Sequence, residues 1–377
     1  MNMTTGTPPF RADHVGSLLR PAYLLEARTE AKAGRLSAER LRKIEDRAVL
    51  EIIALQESAG LRGITDGEAR RDSWHMDFIY QLGGVEKAAS ELKVQFHNRE
   101  GDIEFTPSAL AVTGKLSLPS PIFGDAFLFL KDHVSDGCVP KLTIPSPSMI
   151  HYRGGRRAVD PDVYPDMEEF YRDLSHVYAQ EISGLFDLGC RYLQLDDTSL
   201  AYLNDPSQRA MIAAQGGDAE HQHEIYIQII NAALAKRPEG LTVTTHLCRG
   251  NFRSSWVASG SYDYVADALF NTLAVDGYFL EFDDERSGGF EPLRLLPKGH
   301  KRVVLGLVTT KRGALEDRDT ILRRIEAAAR FAPLEQLCLG PQCGFSSTSE
   351  GNDLSIDQQR AKLDLIVSIA HEVWGGL

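Results

Sequence analysis

No stretch of this 377-residue chain is apolar for long enough to cross a bilayer. The first residues, Met1 to Phe10, are polar and Pro-containing and carry no apolar core of the signal-peptide kind, so a cytoplasmic location is the expectation. Cysteine is scarce and odd in number: Cys138, Cys190, Cys248, Cys338 and Cys343. In a chain this large that excludes a disulfide framework and leaves thiols that are free, buried or metal-bound. Positive charge is also in short supply, with 41 Lys and Arg against 53 Asp and Glu and a net charge of −12. That balance repels phosphate backbones and anionic membranes, so no nucleic acid and no membrane is expected as a partner. Internal repeats, low-complexity tracts and an interdomain linker are all missing.

What the chain does have is material for a core, 43% hydrophobic residues, and a rhythm. Short apolar, β-branched runs alternate with longer amphipathic ones, the mark of βα units. Strands are expected near Ala12–Ser17, Gly63–Asp66, Lys141–Ile144, Tyr192–Asp196, Leu241–His246, Gly277–Phe282, Arg302–Val308 and Leu334–Leu339. About eight parallel strands make a closed α/β barrel of the (β/α)8, or TIM, type. Helices are expected from Ser37 to Gly60, over Asp166–Leu188, Asp317–Ala332 and Asp357–Trp374, the last two each starting near an Asp that can cap backbone N–H groups. Some 70 residues between the second and third strands are too many for a simple crossover. They read as an insertion over residues 80–140: a hairpin around Phe96–Phe105 turning at Asn98-Arg-Glu-Gly-Asp, a further strand at Ala111–Leu118, and a helix near Asp125–Ser135. Residues 1–377 are then a single barrel domain with that insertion within it.

A barrel of this kind places its chemistry at the C-terminal ends of its strands. Polar residues gather there: His14 and Ser17 after the first strand, Asp66 and Glu68 after the second, Ser146 after the third, Asp196 and Asp197 after the fourth. His246 and Cys248 follow the fifth, Glu281 and Asp283 the sixth, Lys311 the seventh and Cys343 the eighth. His246 and Cys248 are two residues apart, so on a strand they share a face and can grip one ion. One imidazole and two thiolates suit Zn2+, which prefers tetrahedral N/S coordination. Glu281 is the expected fourth ligand, in competition with Asp283 and Glu285. Cys138, Cys190 and Cys338 lack such context and read as packing residues.

The chain resembles the cobalamin-independent methionine synthase family, specifically its short members that contain only the C-terminal catalytic barrel. The motifs that carry the resemblance are Asp13-His-Val-Gly-Ser-Leu-Leu-Arg20, Thr65-Asp-Gly-Glu68, Lys141-Leu-Thr-Ile-Pro-Ser146, Leu193-Gln-Leu-Asp-Asp197, Thr245-His-Leu-Cys248, Phe279-Leu-Glu281 and Pro341-Gln-Cys-Gly344. The resemblance implies a zinc-dependent methyltransferase of methionine biosynthesis. A methyl group passes from a methyl donor of the 5-methyltetrahydrofolate type to the thiol of homocysteine. His246, Cys248, Glu281 and Cys343 match the zinc ligands, Gly16, Ser17 and Glu68 the residues that hold the amino acid, and Asp196 the one that binds its amine. Ser146 is placed with them as a substrate-binding candidate. The partners expected are thus small molecules, and a homo-oligomer is compatible with this reading.

Two departures from the pattern bear on the donor. The separate N-terminal barrel that helps hold folate in the long members has no counterpart here, which opens the way to a methyl-corrinoid donor. After the seventh strand, Lys311 stands where the long members have an Asp-x-His. Lys311 and His14 are therefore the candidates for the catalytic acid, with His75 or water as substitutes, and Lys311 can alternatively bind an anion. Trp74 and His75 either line the mouth or pack the insertion. Anion binding leads to a second reading, an alkyltransferase of the epoxyalkane–coenzyme M transferase type, whose thiol carries a sulfonate and no amine; Arg20, Arg71, Arg249 and Lys311 are the cations available to it. A third reading, a non-catalytic barrel with structural zinc, is told apart by whether the zinc accepts an added thiol.

Overall fold

The computed structural model describes residues 6–89, 93–98 and 101–376. Its frame is a parallel sheet of seven strands in the order β1-β6-β7-β8-β9-β10-β11. These are β1 (Gly63–Ile64), β6 (Val139–Pro145), β7 (Tyr192–Asp196), β8 (Thr242–Leu247), β9 (Gly277–Glu281), β10 (Arg302–Val308) and β11 (Leu337–Pro341). The segment ahead of β1 joins the two edges. Ala12 bridges Leu339 in parallel, with the Asp13 N–H donating to the Leu339 carbonyl at 3.1 Å. On its other side, Leu18 N–H donates to Gly67 O at 3.1 Å and Thr65 Oγ1 to Gly16 O at 2.6 Å.

The α/β barrel is therefore present, but the strand expected over Ala12–Ser17 is a single bridge with loop hydrogen bonds. Gly16, at φ 139°, takes the backbone out of the region that a ladder of L-residues needs. β1 stops short of the expected Asp66 for a related reason. Thr65 Oγ1 and Asp66 Oδ1 accept from the N–H groups of Gly67 and Glu68 at 3.1 and 2.9 Å, so local side-chain bonds replace the ladder. At the far end, a 3-10 turn over Leu334–Gln336 delays β11 by three residues relative to the expectation.

The insertion holds four strands. β2 (Gly83–Ala88) pairs antiparallel with β5 (Ala109–Ser117), and β3 (Val94–Asn98) with β4 (Gly101–Phe105). The hairpin was expected, although its turn residues Arg99 and Glu100 lie outside the described residues. β2 was not. It opens on Gly83 and Gly84 with a register shift, which hides the period-two signal. The hairpin docks on the barrel by two backbone bonds between His97 and Trp256, 2.7 and 2.9 Å long. The helix of the insertion runs over Gly124–His133.

Side-chain alternation sorts the strands into two environments. On β7, Leu193 and Leu195 face the helices and join the main core, as do Val243 of β8 and Leu280 of β9. Their neighbours turn inward, where Val15, Phe279, Val304 and Cys338 form a small separate cluster. Inside lies also a buried ion pair, Lys141 Nζ to Asp13 Oδ1 at 3.3 Å, with the ammonium 4.0 Å from the Phe279 ring centre. The helices Ala38–Ser58, Met167–Asp187, Arg318–Ala328 and Ile356–Trp374 cover the outside. Asp317 caps its helix as expected; the last helix is capped by Ser355, in a reciprocal box with Gln358, instead of Asp357. No described helix is long and apolar enough to cross a membrane.

Candidate functional site

The inward residue at the C-terminal end of β8 is His246, and Cys248 follows it by two. Cys343 lies just past β11. The ring nitrogens of His246 and the two Sγ atoms come within 4.8 Å of one another, and all three residues are buried. Neither imidazole nitrogen of His246 has a hydrogen-bond partner. An orphaned buried polar atom costs about 1–3 kcal/mol, which a metal bond would offset. Hydrogen bonding from Cys343, and then the His246 charge, drive the Cys248 thiol well down, while the same pairing with Cys248 drives Cys343 up. One imidazole and two thiolates are a zinc donor set, and the residues fit the ion.

Glu281 is fully buried at the end of β9, and its charge is felt by all three of these residues. It is not, however, part of the group gathered within 4.8 Å. Its Oε1 accepts from Arg286 at 2.5 Å and lies 3.5 Å from Lys311 Nζ; its Oε2 accepts the Arg249 N–H at 2.7 Å. Burial would raise its pKa, but Lys311, Arg286 and Arg249 together hold it at about 2.

A cavity of about 340 Å³ opens over the His246–Cys248–Cys343 group. Its walls include Ser17, Glu68 and Asp196, and also Trp74, His75 and the hairpin residues Phe96 and Phe105. The insertion thus roofs the cavity. Glu68 sits at φ 55°, a left-handed conformation that costs of order 1–3 kcal/mol and is held by its surroundings. Arg20 supplies much of that hold, donating to the carbonyls of Glu68 (2.9 Å), Arg71 (2.8 Å) and Ser346 (3.1 Å). The Glu68 carboxyl points Oε1 at Thr143 Oγ1, 2.8 Å away, and leaves Oε2 buried without a partner. Arg71 is 3.7 Å from Oε1, so the nearby ion pair uses only one oxygen. Gly16 is required beside it: a Cβ there would meet Thr143 Cγ2 at 2.6 Å.

Asp196, inward at the end of β7, accepts from Gln194 Nε2 at 2.6 Å. Burial, and then the Glu68 charge, push its carboxyl up to about 7, and burial raises Glu68 as well. Two buried carboxyls that penalise each other's charge make a receptor for a cation, since an ammonium between them reverses both penalties. Asp197 makes a different set of contacts. It accepts from Ser199 Oγ, Leu200 N–H and Ser148 Oγ at 2.6, 3.0 and 2.6 Å, and so satisfies a backbone N–H in the first turn of the short helix Ser199–Tyr202.

Several expected residues stand elsewhere. Ser146 is fully buried and outside the cavity wall; its N–H donates to Asp196 O at 2.8 Å and its Oγ accepts from Ser148 at 3.1 Å, so it ties the ends of β6 and β7 together. His14 is also off the cavity wall. Its Nε2 bonds the Gly63 carbonyl at 3.1 Å, below the cavity, and burial followed by Lys141 pushes its pKa down to about 4. His75 lines the cavity, stacked on Trp74 at 4.4 Å, but burial takes it to about 3. Lys311 is outside the wall and faces Glu281. Arg71 donates to Thr143 Oγ1 and O, and Arg249 to the carbonyls of Gly260, Glu281 and Ser287. With Arg20, these guanidiniums hold the frame together. Sequence reasoning missed Gln194 and Arg286. Gln194 was legible as the same-face neighbour of Asp196 on one strand; Arg286 sits in a 3-10 turn with no pattern to mark it.

Residues 156–372 match the family described as the catalytic domain of cobalamin-independent synthase. That span includes Asp196, His246, Cys248, Glu281 and Cys343 but not Gly16, Ser17 or Glu68. Longer similarity covers those. Uncharacterized protein YxjH of Bacillus subtilis (strain 168) is 48% identical over 367 residues, 97% of this chain and 95% of that protein. The methionine synthase of Sulfurisphaera tokodaii is 25% identical over 333 residues, 88% of this chain and 84% of that one. A solved structure from Listeria monocytogenes, proposed to be a vitamin-B12 independent methionine synthase, superposes with a TM-score of 0.77 at 39% identity, covering 97% of this chain and 98% of that one.

Proposed function

The chain belongs to the cobalamin-independent methionine synthase family, and from that premise we propose that it is a zinc-dependent methyltransferase that methylates the thiol of homocysteine to give methionine. The observation that carries the reading is the juxtaposition in one cavity of His246, Cys248 and Cys343 with Glu68 and Asp196. A thiol alone needs only the first group. The second group is needed only if the thiol comes attached to an ammonium.

His246, Cys248 and Cys343 would hold the zinc, which would supply the deprotonation of the thiol, whose free pKa of about 8.5 leaves little thiolate at neutral pH. The protein's own residues do the rest. Glu68 Oε2 and Asp196 receive the ammonium in charge-assisted bonds and fix which way the sulfur points. Gln194 and Thr143 aim those two carboxyls. Gly16 lets the chain pass close to them, and Ser17 adds a hydroxyl at the wall. The roof of Trp74, Phe96 and Phe105 excludes water from the transfer. Neither His14 nor Lys311 lines the cavity, but the Lys311 charge is felt by Cys343, which makes Lys311 the better placed of the two acid candidates. A methyl donor of the 5-methyltetrahydrofolate type is the one proposed.

The coenzyme M type of alkyl transfer finds less support, because Arg20, Arg71 and Arg249 are engaged by carbonyls and Lys311 is paired with Glu281 off the cavity wall, which leaves Lys87 and Arg153 as the wall's cations for a sulfonate. The experiment is a panel. Purified protein should carry about one zinc per chain and bind homocysteine with proton release, read by calorimetry in buffers of different ionisation heat. Methyl-folate mono- and polyglutamates, methylcobalamin and epoxides are then tried as donors. Transfer from methylcobalamin alone replaces the folate; coenzyme M binding without homocysteine binding overturns the reading.

A further inference from the structure

The cavity has more wall than an amino acid needs. Ser17, Glu68 and Asp196, with the His246–Cys248–Cys343 group, account for one part of it. Much of the rest is aromatic. The ring centres of Phe105 and Phe252 lie 4.4 Å apart, and Phe96 is 5.3 Å from Phe252. Phe252 follows Cys248 by four residues, so this platform joins the metal-ligand segment to the hairpin. Asn251 lines the cavity beside it. Its Nδ2 donates to Gly344 O at 2.7 Å and to Ser347 Oγ at 3.2 Å, which leaves Oδ1 buried without a partner. A spare acceptor next to an aromatic face suits a flat ring that carries N–H groups.

One cation of this wall is uncommitted. Arg153, half-buried in the turn after the short helix Ser148–His151, makes no hydrogen bond and no ion pair among the described residues. Burial, and then the Arg153 charge, lower the His75 pKa, which puts the guanidinium near the Trp74–His75 stack. Two smaller cavities, of about 230 and 150 Å³, share wall residues with the main one, and Arg153 lines both. None of Ser17, Glu68, Asp196, His246, Cys248 and Cys343 lines either. Arg153 therefore belongs to the end of the space away from the amino acid. Lys87 lines the main cavity too, its ammonium 5.1 Å from the Tyr80 ring centre. Acids of the same wall are occupied: Asp72 pairs with Arg28 and Lys32, and Asp77 accepts the N–H groups of Asp72 and Ser73. A guanidinium left unpaired among aromatic side chains attracts an anion more strongly than one in open water.

We propose that Arg153 is a specificity-determining residue for the methyl donor: it takes a carboxylate on the donor's tail, with Lys87 as a second cation, while the donor's flat ring lies against Phe96, Phe105 and Phe252. The inference rests on the methyl-transfer reading above. It gives the insertion a task in the reaction, since the hairpin supplies two of the three rings, and it assigns the wall's cations to the donor and not to the thiol.

The test uses zinc-loaded full-length protein and two unreactive probes, pteroylglutamate and its uncharged bis-amide, which share ring and shape and differ in tail charge. Binding is read by calorimetry, with and without homocysteine. The parent should bind the acid ~10-fold or more tightly than the bis-amide, the worth of one hydrogen bond to a charged group. Arg153→Gln should bind both probes alike, at the level of the bis-amide, and keep the parent's affinity for homocysteine. Lys87→Gln should show a smaller loss of the same kind. Phe105→Leu, which keeps an apolar side chain in the hairpin, should weaken both probes by the same factor. An Arg153→Gln protein that still prefers the acid as the parent does overturns the inference, as does a parent that binds the two probes equally or binds neither. Loss of homocysteine affinity in Arg153→Gln gives the guanidinium to the amino acid's own carboxylate and overturns it as well. Homocysteine binding by the parent alone separates the two levels: without it the methyl-acceptor reading falls, whatever the pterin probes do.

Discussion

Replacing Glu68 by Gln keeps the side chain's shape and removes its charge. Thr143 Oγ1, 2.8 Å from Oε1, can still donate to the amide oxygen. The change falls on Oε2, the buried oxygen that has no partner within the protein. It becomes an N–H2 group that donates toward the same space, where an incoming ammonium also donates. A hydrogen bond to a charged group contributes about 1.5–3 kcal/mol, and 1.4 kcal/mol is tenfold, so homocysteine should bind roughly 10–100-fold more weakly. Desolvating an ammonium against a neutral wall adds to that figure. The backbone is not at issue, since Arg20 grips the Glu68 carbonyl and not its side chain. Calorimetry with two ligands separates the causes: homocysteine, and 4-mercaptobutanoate, which is the same thiol without the amine. Glu68→Gln should lose affinity for the first and keep it for the second, with zinc content unchanged. A variant that binds homocysteine as the parent does refutes the ammonium role; one that loses both ligands equally shows that Glu68 holds the cavity's shape and nothing more.

Gly16→Ala should destabilise the fold by about 1–3 kcal/mol from backbone strain alone, and more from the 2.6 Å approach to Thr143 Cγ2, read as a lower urea midpoint together with weaker homocysteine binding; an unchanged midpoint contradicts the close approach. Glu181 makes a pH prediction far from the site. Burial pushes its carboxyl from 4.5 up to about 8, while its Oε2 accepts the Ile122 N–H at 2.9 Å. Between those two pH values the folded state keeps a proton that the unfolded state releases, so this group's contribution to stability falls as pH rises through that window and is fully lost above about 8. Glu181→Gln removes the slope, and its Tm relative to the parent should therefore rise from pH 5 to pH 9; a difference independent of pH sinks the argument. Cys248→Ser and Cys343→Ser should each abolish stoichiometric zinc while leaving the far-ultraviolet circular dichroism in place, and full metal retention in both would remove the site.

The parts of the fold that were legible are those where one physical signal dominates. β7, β8, β9 and β10 are buried on both faces, so their apolar runs stand out, and the inward residue at each C-terminal end follows from alternation alone. That is why His246 and Cys248 could be paired from their spacing and joined to Cys343 through the barrel. The first barrel segment was harder, because it is held by side chains and one bridge instead of a ladder. β2 escaped notice because two glycines open it. The arginines show a deeper limit. Arg20, Arg71 and Arg249 read as free cations at the mouth, yet each is spent on carbonyls or hydroxyls more than ten residues away in sequence, and such partners leave no local pattern. The same holds for Glu281, whose position was legible and whose company was not: Arg286 lies in a turn, and Lys311 comes from the loop after the next strand.

The central claim is a metal held by His246, Cys248 and Cys343 that takes up the substrate's sulfur. Zinc K-edge X-ray absorption of the loaded protein, recorded before and after homocysteine is added, tests it most directly. The two sulfurs of Cys248 and Cys343 should be joined by a third at about 2.3 Å when homocysteine binds. A sulfur count that stays the same in the presence of saturating homocysteine would contradict the account.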